Sequence, residues 1–294
     1  MTTTHTVRAL DATHPVDYLA AIGLLACVSD GSVQFNESNR PVLLTPASAE
    51  TTATEVTAEL ERWTNPIHSA LPTSLQSTTP DWPQLEPLCR DSWQNPITDG
   101  HLRTFDVGSA KDPAHRPLQV LSAALMLVTG KSYLRKSLED LWPAPSRKKD
   151  VQAARDRTRA ELYDGVLALL CGERPSSVRG GMALRLTTSD ISPRLRSGTE
   201  TALLTPTIEA LAAVGIFHLL PRQRGITVER GQGRRPQHRA GLTWALNPAP
   251  LSLRSLVDIH EESHPPPSWP RFTCVVQTIG GGTKAAQFTH IRPI

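Results

Sequence analysis

The sequence predicts an α+β protein in which two related α/β units are separated by a helical block. Three observations predict it. The phrase HPVDYLAAIGLLACV (residues 14–28) returns as LTPTIEALAAVGIFHLLP (204–221), each with an acidic residue, Leu-Ala-Ala, a β-branched residue and a glycine. Around both phrases the patterns run in one order: strand, helix, strand, strand, helix. Between them lie helical patterns rich in Lys and Arg. The boundaries fall at 1–117 (N-terminal unit with an extended loop), 118–175 (basic helical block) and 176–294 (C-terminal unit).

Taken in order, THTVRAL reads as a short strand and HPVDYLAAIGLLACVS as a helix. Pro15 suits its first turn, where a missing N–H costs little, and Asp17 complements the positive helix start. SVQF and PVLLT read as strands, and AETTATEVTAELERWTNPIHSAL as an amphipathic helix. Residues 72–117, rich in Pro, Ser and Thr, read as an extended loop region. Helices follow at PLQVLSAALMLVTG, KSYLRKSLEDLW and VQAARDRTRAELYDGVLALLCG. The last carries an apolar stripe of Leu162, Val166, Leu169 and Leu170 behind Arg155, Arg157 and Arg159. GMALRLTT, GITVERG, AGLTWALN, RFTCVVQTI and AQFTHIRPI read as strands. PTIEALAAVGIFHLL and LSLRSLVDIHEE read as helices. Gly23 and Gly215 each cost a helix interior about 1 kcal/mol relative to Ala, which a close crossing over another element would justify.

Composition bounds the function. A chain of 294 residues, 39% hydrophobic and 20% charged, reads as a soluble globular protein. It has no run of eighteen apolar residues and no basic-then-apolar leader, so a cytoplasmic protein without a membrane partner is expected. Cys27, Cys89, Cys171 and Cys274 lie far apart with no Cys-x-x-Cys pair, as expected of buried thiols in a reducing compartment. The net charge of +3 hides an asymmetry: residues 131–239 carry 20 Lys and Arg against 11 Asp and Glu, and the rest of the chain carries 11 against 17. A basic middle on an acidic body is the footprint of a phosphate-binding surface, or else a solvated charged face.

HEESH (260–264) matches the His-Glu-x-x-His pattern, in which His260 and His264 would bind zinc and Glu261 would act as general base. Three prolines follow it, and a residue before proline is pushed out of helical geometry, so a solvated helix end is the main reading and a zinc hydrolase the alternative. TGKS (129–132) lacks the earlier glycine and the preceding strand of a phosphate-binding loop. No Gly-x-Ser-x-Gly elbow is present and no cysteine has a catalytic setting, so a noncatalytic protein without a cofactor is expected.

The strongest functional candidate is PRQRGITVERGQGRRPQHRAG (221–241). It holds Arg222, Arg224, Arg230, Arg234, Arg235 and Arg239 against the single acid Glu229. Arginine suits forked contacts to phosphates and guanine edges, and a hairpin carrying such residues could enter a groove. A second basic cluster has Arg147, Lys148 and Lys149 at its front, with Lys131 upstream. The glycine-rich IGGGTK adds Lys284 at an expected hairpin tip.

HPVDYLAAIGLLACV resembles the opening signature of a CRISPR-associated family from type I-G (formerly I-U) effector complexes, a large-subunit-like component of Cascade. TPTIEALAAVGIFHLLP is similar to a later segment of that family, placed after a Leu-Arg strand matched here by GMALRLTT. VTGKSYLRKSLEDLW is similar to its Gly-to-Tyr-Leu helix. The resemblance spans most of the chain through short apolar motifs. It implies a noncatalytic subunit of an RNA-guided complex that holds guide RNA or target DNA, helps read the motif beside the target, contacts other effector subunits and receives a helicase–nuclease. In such complexes base pairing supplies sequence, while protein reads shape, phosphate and a short motif. A purely structural interaction subunit is the remaining alternative.

Overall fold

The computed structural model describes residues 2–70, 151–179, 203–219, 228–230, 238–262, 265–279 and 285–294. Within them the chain is α+β, with antiparallel sheets packed against helices. The elements are β1 (Thr3–Thr6), α1 (Pro15–Ala26), β2 (Ser32–Phe35), β3 (Pro41–Thr45), α2 (Ala49–Ala70), α3 (Val151–Leu170), β4 (Val178–Arg179), β5 (Leu203–Leu204), α4 (Pro206–Leu219), β6 (Val228–Arg230), β7 (His238–Ala245), α5 (Leu253–Glu262), β8 (Arg271–Ile279) and β9 (Ala285–Pro293). Among the described residues the strands form three sheets, in the orders β1-β3-β2, β4-β5 and β6-β7-β8-β9.

The two copies of the repeated phrase become α1 and α4, which cross each other. Beyond one acid in each first turn, Asp17 and Glu209, both are largely apolar all round, the pattern of a helix enclosed by protein rather than laid on its surface. Tyr18, Leu19, Ile22 and Leu24 of α1 and Ile208, Leu211 and Val214 of α4 are buried. The glycines set the crossing. A Cβ on Gly23 would lie 2.7 Å from the Leu211 carbonyl carbon and closer still to its oxygen; one on Gly215 would lie 2.8 Å from the Leu19 carbonyl carbon, again with the oxygen nearer. Each glycine thus receives the backbone four residues ahead of the other glycine. This reciprocity is the geometry of a two-fold axis between two like helices.

One hydrophobic core runs from Val7 to Cys274 and includes Leu162, Val166, Leu169 and Leu170, the apolar stripe expected on α3. Tyr18 stands at its centre, stacked on Phe35 at 5.7 Å and on Trp244 at 6.0 Å, and Trp244 stacks in turn on Phe272 at 5.8 Å. Such aromatic pairs add about 0.5–1.5 kcal/mol each beyond their buried area. The buried Trp244 indole donates through Nε1 to the Ala12 carbonyl at 2.8 Å, fastening the sheet of β7 to the loop before α1. That loop is held from inside. Asp11 Oδ1 accepts the Thr13 N–H and hydroxyl, Asp17 Oδ2 accepts the Asp11 N–H, and Arg40 donates to the Leu10 carbonyl.

The chain that follows β7 docks on the edge of the N-terminal sheet. The outer edge of β2 exchanges hydrogen bonds with Leu251 through Val33, and the Phe35 N–H donates to the Asn247 carbonyl. Asn247 Nδ2 donates to the Val33 carbonyl at 2.7 Å, so the edge is closed by the chain that follows β7. On the other flank α2 lies along α3, where the Arg159 guanidinium forks onto both Glu61 carboxylate oxygens. Arg159 is therefore engaged within the fold.

Several expectations are amended. The strand expected at THTVRAL stops at Thr6, because a turn at Arg8 and Ala9 carries the chain toward α1. Cys27 and Cys274 are buried free thiols, but Cys171 is exposed, since it follows the last turn of α3 on its solvent side. The short strands β4 and β5 were not expected. GMALRLTT, the loop region 72–117, and the helices expected at PLQVLSAALMLVTG and KSYLRKSLEDLW lie outside the described residues. No helix among those described is long and apolar enough to cross a membrane.

Candidate nucleic-acid interface

The arginine-rich segment 221–241 contributes β6 and the start of β7. Their register is antiparallel, with Val228 opposite Ala240, Glu229 opposite Arg239 and Arg230 opposite His238. The expected hairpin therefore exists as a paired ribbon, joined by residues 231–237. Arg230 and Arg239 occupy register positions on the ribbon. Arg222, Arg224, Arg234 and Arg235 lie outside the described residues, as do Lys131, Arg147, Lys148, Lys149 and Lys284. Arg234 and Arg235 belong to the 231–237 connection by chain order, and Lys284 belongs to residues 280–284, which join β8 to β9.

The strand order brings these two connections to one place. In the order β6-β7-β8-β9 every neighbouring pair is antiparallel, so β6 and β8 run in the same direction. Both leave the sheet at the same end. The β7–β8 register runs from Ala245 opposite Arg271 to Gly241 opposite Val275, toward the start of β7 and the end of β8. Neighbouring strands lie about 4.8 Å apart, so the Arg234–Arg235 and Lys284 connections begin and end on adjacent strands. Sequence reading placed these motifs fifty residues apart and could not join them.

Alternation along β7 divides the ribbon into two faces, because successive strand residues point to opposite sides. Leu242 and Trp244 are buried, Trp244 stacked on Tyr18 of α1, and Cys274 and Phe272 lie opposite them on β8. Stepping back by twos along β7 places Ala240 and His238 on that face, with Val228 and Arg230 across from them. Glu229 and Arg239 take the other face, which further along carries Thr243 and Thr273, their hydroxyls 3.2 Å apart.

HEESH sits at the end of α5. The helix stops at Glu262, so His260 and Glu261 fall in its last turn while His264 lies outside the described residues. Among the described residues no group of three or more His, Cys, Asp or Glu is arranged to hold a metal ion. The buried Cys274 thiol is pushed up to about 12 by desolvation, which leaves it a protonated packing group rather than a nucleophile. No protein-family model, no curated protein and no solved structure matches this chain.

Proposed function

We propose that this chain is a noncatalytic, nucleic-acid-contacting subunit of an RNA-guided, Cascade-like effector. In this reading two related α/β units, related by the α1–α4 crossing, form a scaffold, and the end of the C-terminal sheet touches guide RNA or target DNA. The observation that carries it is the convergence of two hairpin connections at one sheet end. One holds Arg234 and Arg235, and the other holds Lys284. Cations in sequence between the paired strands are the residue type that contacts a phosphate backbone. The sequence resemblance to type I-G effector subunits supplies the biological setting: a complex in which base pairing reads the target and protein holds backbone and a short adjacent motif. Other effector subunits and a helicase–nuclease are the protein partners of this reading.

The test is the salt dependence of binding to labelled DNA and RNA. Replacing Arg234 and Arg235 with Ala removes up to two phosphate contacts, so the slope of log K against log salt should flatten by about 0.9 per contact on duplex DNA. A folded variant that binds with unchanged affinity and slope contradicts the assignment. A uniform loss across sequences marks phosphate contacts, and relaxed preference at one position marks base reading.

A further inference from the structure

Strands β7, β8 and β9 contain no Asp or Glu. Thr243 stands opposite Thr273, and Thr273 stands opposite Arg292. Directly opposed residues share a face, and Arg271 lies two residues before Thr273, so these four residues occupy the side turned away from Trp244 and Cys274. We propose that this outer face, at the start of β8, holds a phosphate of a nucleic-acid backbone through Arg271, with Arg292 beside it. The proposal rests on the nucleic-acid reading above and deepens it with a contact outside the arginine-rich segment.

Arg271 carries the proposal. It is half-buried, and among the described residues no carboxylate forms an ion pair with it. One guanidinium nitrogen, Nη2, donates to the Pro265 carbonyl, a neutral acceptor, while the Nε–H is buried with no acceptor. A guanidinium drawn partly out of water is costly without an anion, and its fork matches two phosphate oxygens. Arg292 is exposed and is the diagonal neighbour of Arg271 across the β8–β9 pair, about 7–8 Å away, within reach of two long side chains. Thr273 is itself buried, so an anion arriving here meets the guanidinium groups rather than that hydroxyl. Along β8 the rise from Arg271 to Ile279 is about 26 Å, less than the roughly 34 Å of one duplex turn. A backbone that follows the strands can therefore meet Arg271 at one end of the sheet and the 280–284 connection at the other.

Binding of the full chain to a fluorescein-labelled mixed-sequence DNA duplex, measured across salt concentrations, tests the proposal. Arg271→Gln should weaken binding several-fold and reduce the slope of log K against log salt by about 0.9. Arg271→Lys keeps the charge without the fork or the Nε–H, so it should keep the slope and lose part of the affinity. Arg292→Gln changes an exposed position, should also lower the slope, and carries the test if Arg271→Gln does not fold. A folded Arg271→Gln protein, or failing that a folded Arg292→Gln protein, with wild-type affinity and slope overturns the proposal while the Arg234–Arg235 assignment stands. Inorganic phosphate is the second probe. If it raises the thermal midpoint of the wild type but not of Arg271→Gln, while both bind the duplex alike, the site takes free phosphate and the backbone contact is overturned. Wild-type protein that binds neither the duplex nor a single-stranded RNA of equal length overturns the functional reading and this proposal with it.

Discussion

Asp17 shows how a single residue can serve position at a cost in charge. It lies in the first turn of α1, where a carboxylate complements the helix start, and its Oδ2 accepts the Asp11 N–H at 2.8 Å. Burial dominates nonetheless: desolvation raises its pKa above the ordinary 3.8, against the opposing pull of the Asp11 hydrogen bond and of His14. A carboxyl whose pKa is raised by folding supports the fold fully below its ordinary value, and that support is lost as pH rises through the folded value. Asparagine keeps an acceptor for the Asp11 N–H and carries no charge to desolvate. Asp17→Asn should therefore melt higher than the wild type at about pH 7, with the gap narrowing toward about pH 4. Thermal melts at the two pH values check this, and a variant no more stable at neutral pH would show that the helix-start charge outweighs desolvation.

At the scale of elements, the α1–α4 crossing is the feature on which the rest of the core is arranged. Gly23→Ala or Gly215→Ala forces a methyl group into a backbone carbonyl, which cannot rotate aside as a side chain can. Either should destabilise by at least the ~1–3 kcal/mol of ordinary overpacking, and because both act at one crossing their effects should not add. Gly31→Ala is the control, since its Cβ would find the Leu25 Cδ1 at an ordinary 3.4 Å. Denaturant melts that show all three variants alike would contradict the crossing. The sequence made the existence of this crossing legible: two glycines in apolar helices announce a close approach. It could not show that each phrase is the other's partner, because spacing within a helix does not name what crosses it. Strands bounded by turn residues, such as SVQF, PVLLT and RFTCVVQTI, were legible to the residue. The two-residue strands β4 and β5 carry too little pattern to be seen. Cys171 misled because cysteine's usual burial was applied to a position just past the end of a helix.

For the whole molecule, one core among the described residues spans both repeated helices, while β6–β7 and β8–β9 have their connected ends at one end of their sheet. The division was partly legible: charge counting located the basic middle of the chain, and the arginine run located the hairpin. That the β6–β7 and β8–β9 pairs are connected at the same end of the sheet depended on strand order, which only long-range pairing fixes. Purification after coexpression with the neighbouring genes, with sequencing of any bound RNA, tests the proposed membership of an RNA-guided assembly. A stoichiometric complex containing a uniform short RNA is expected. A lone protein free of RNA would contradict that membership.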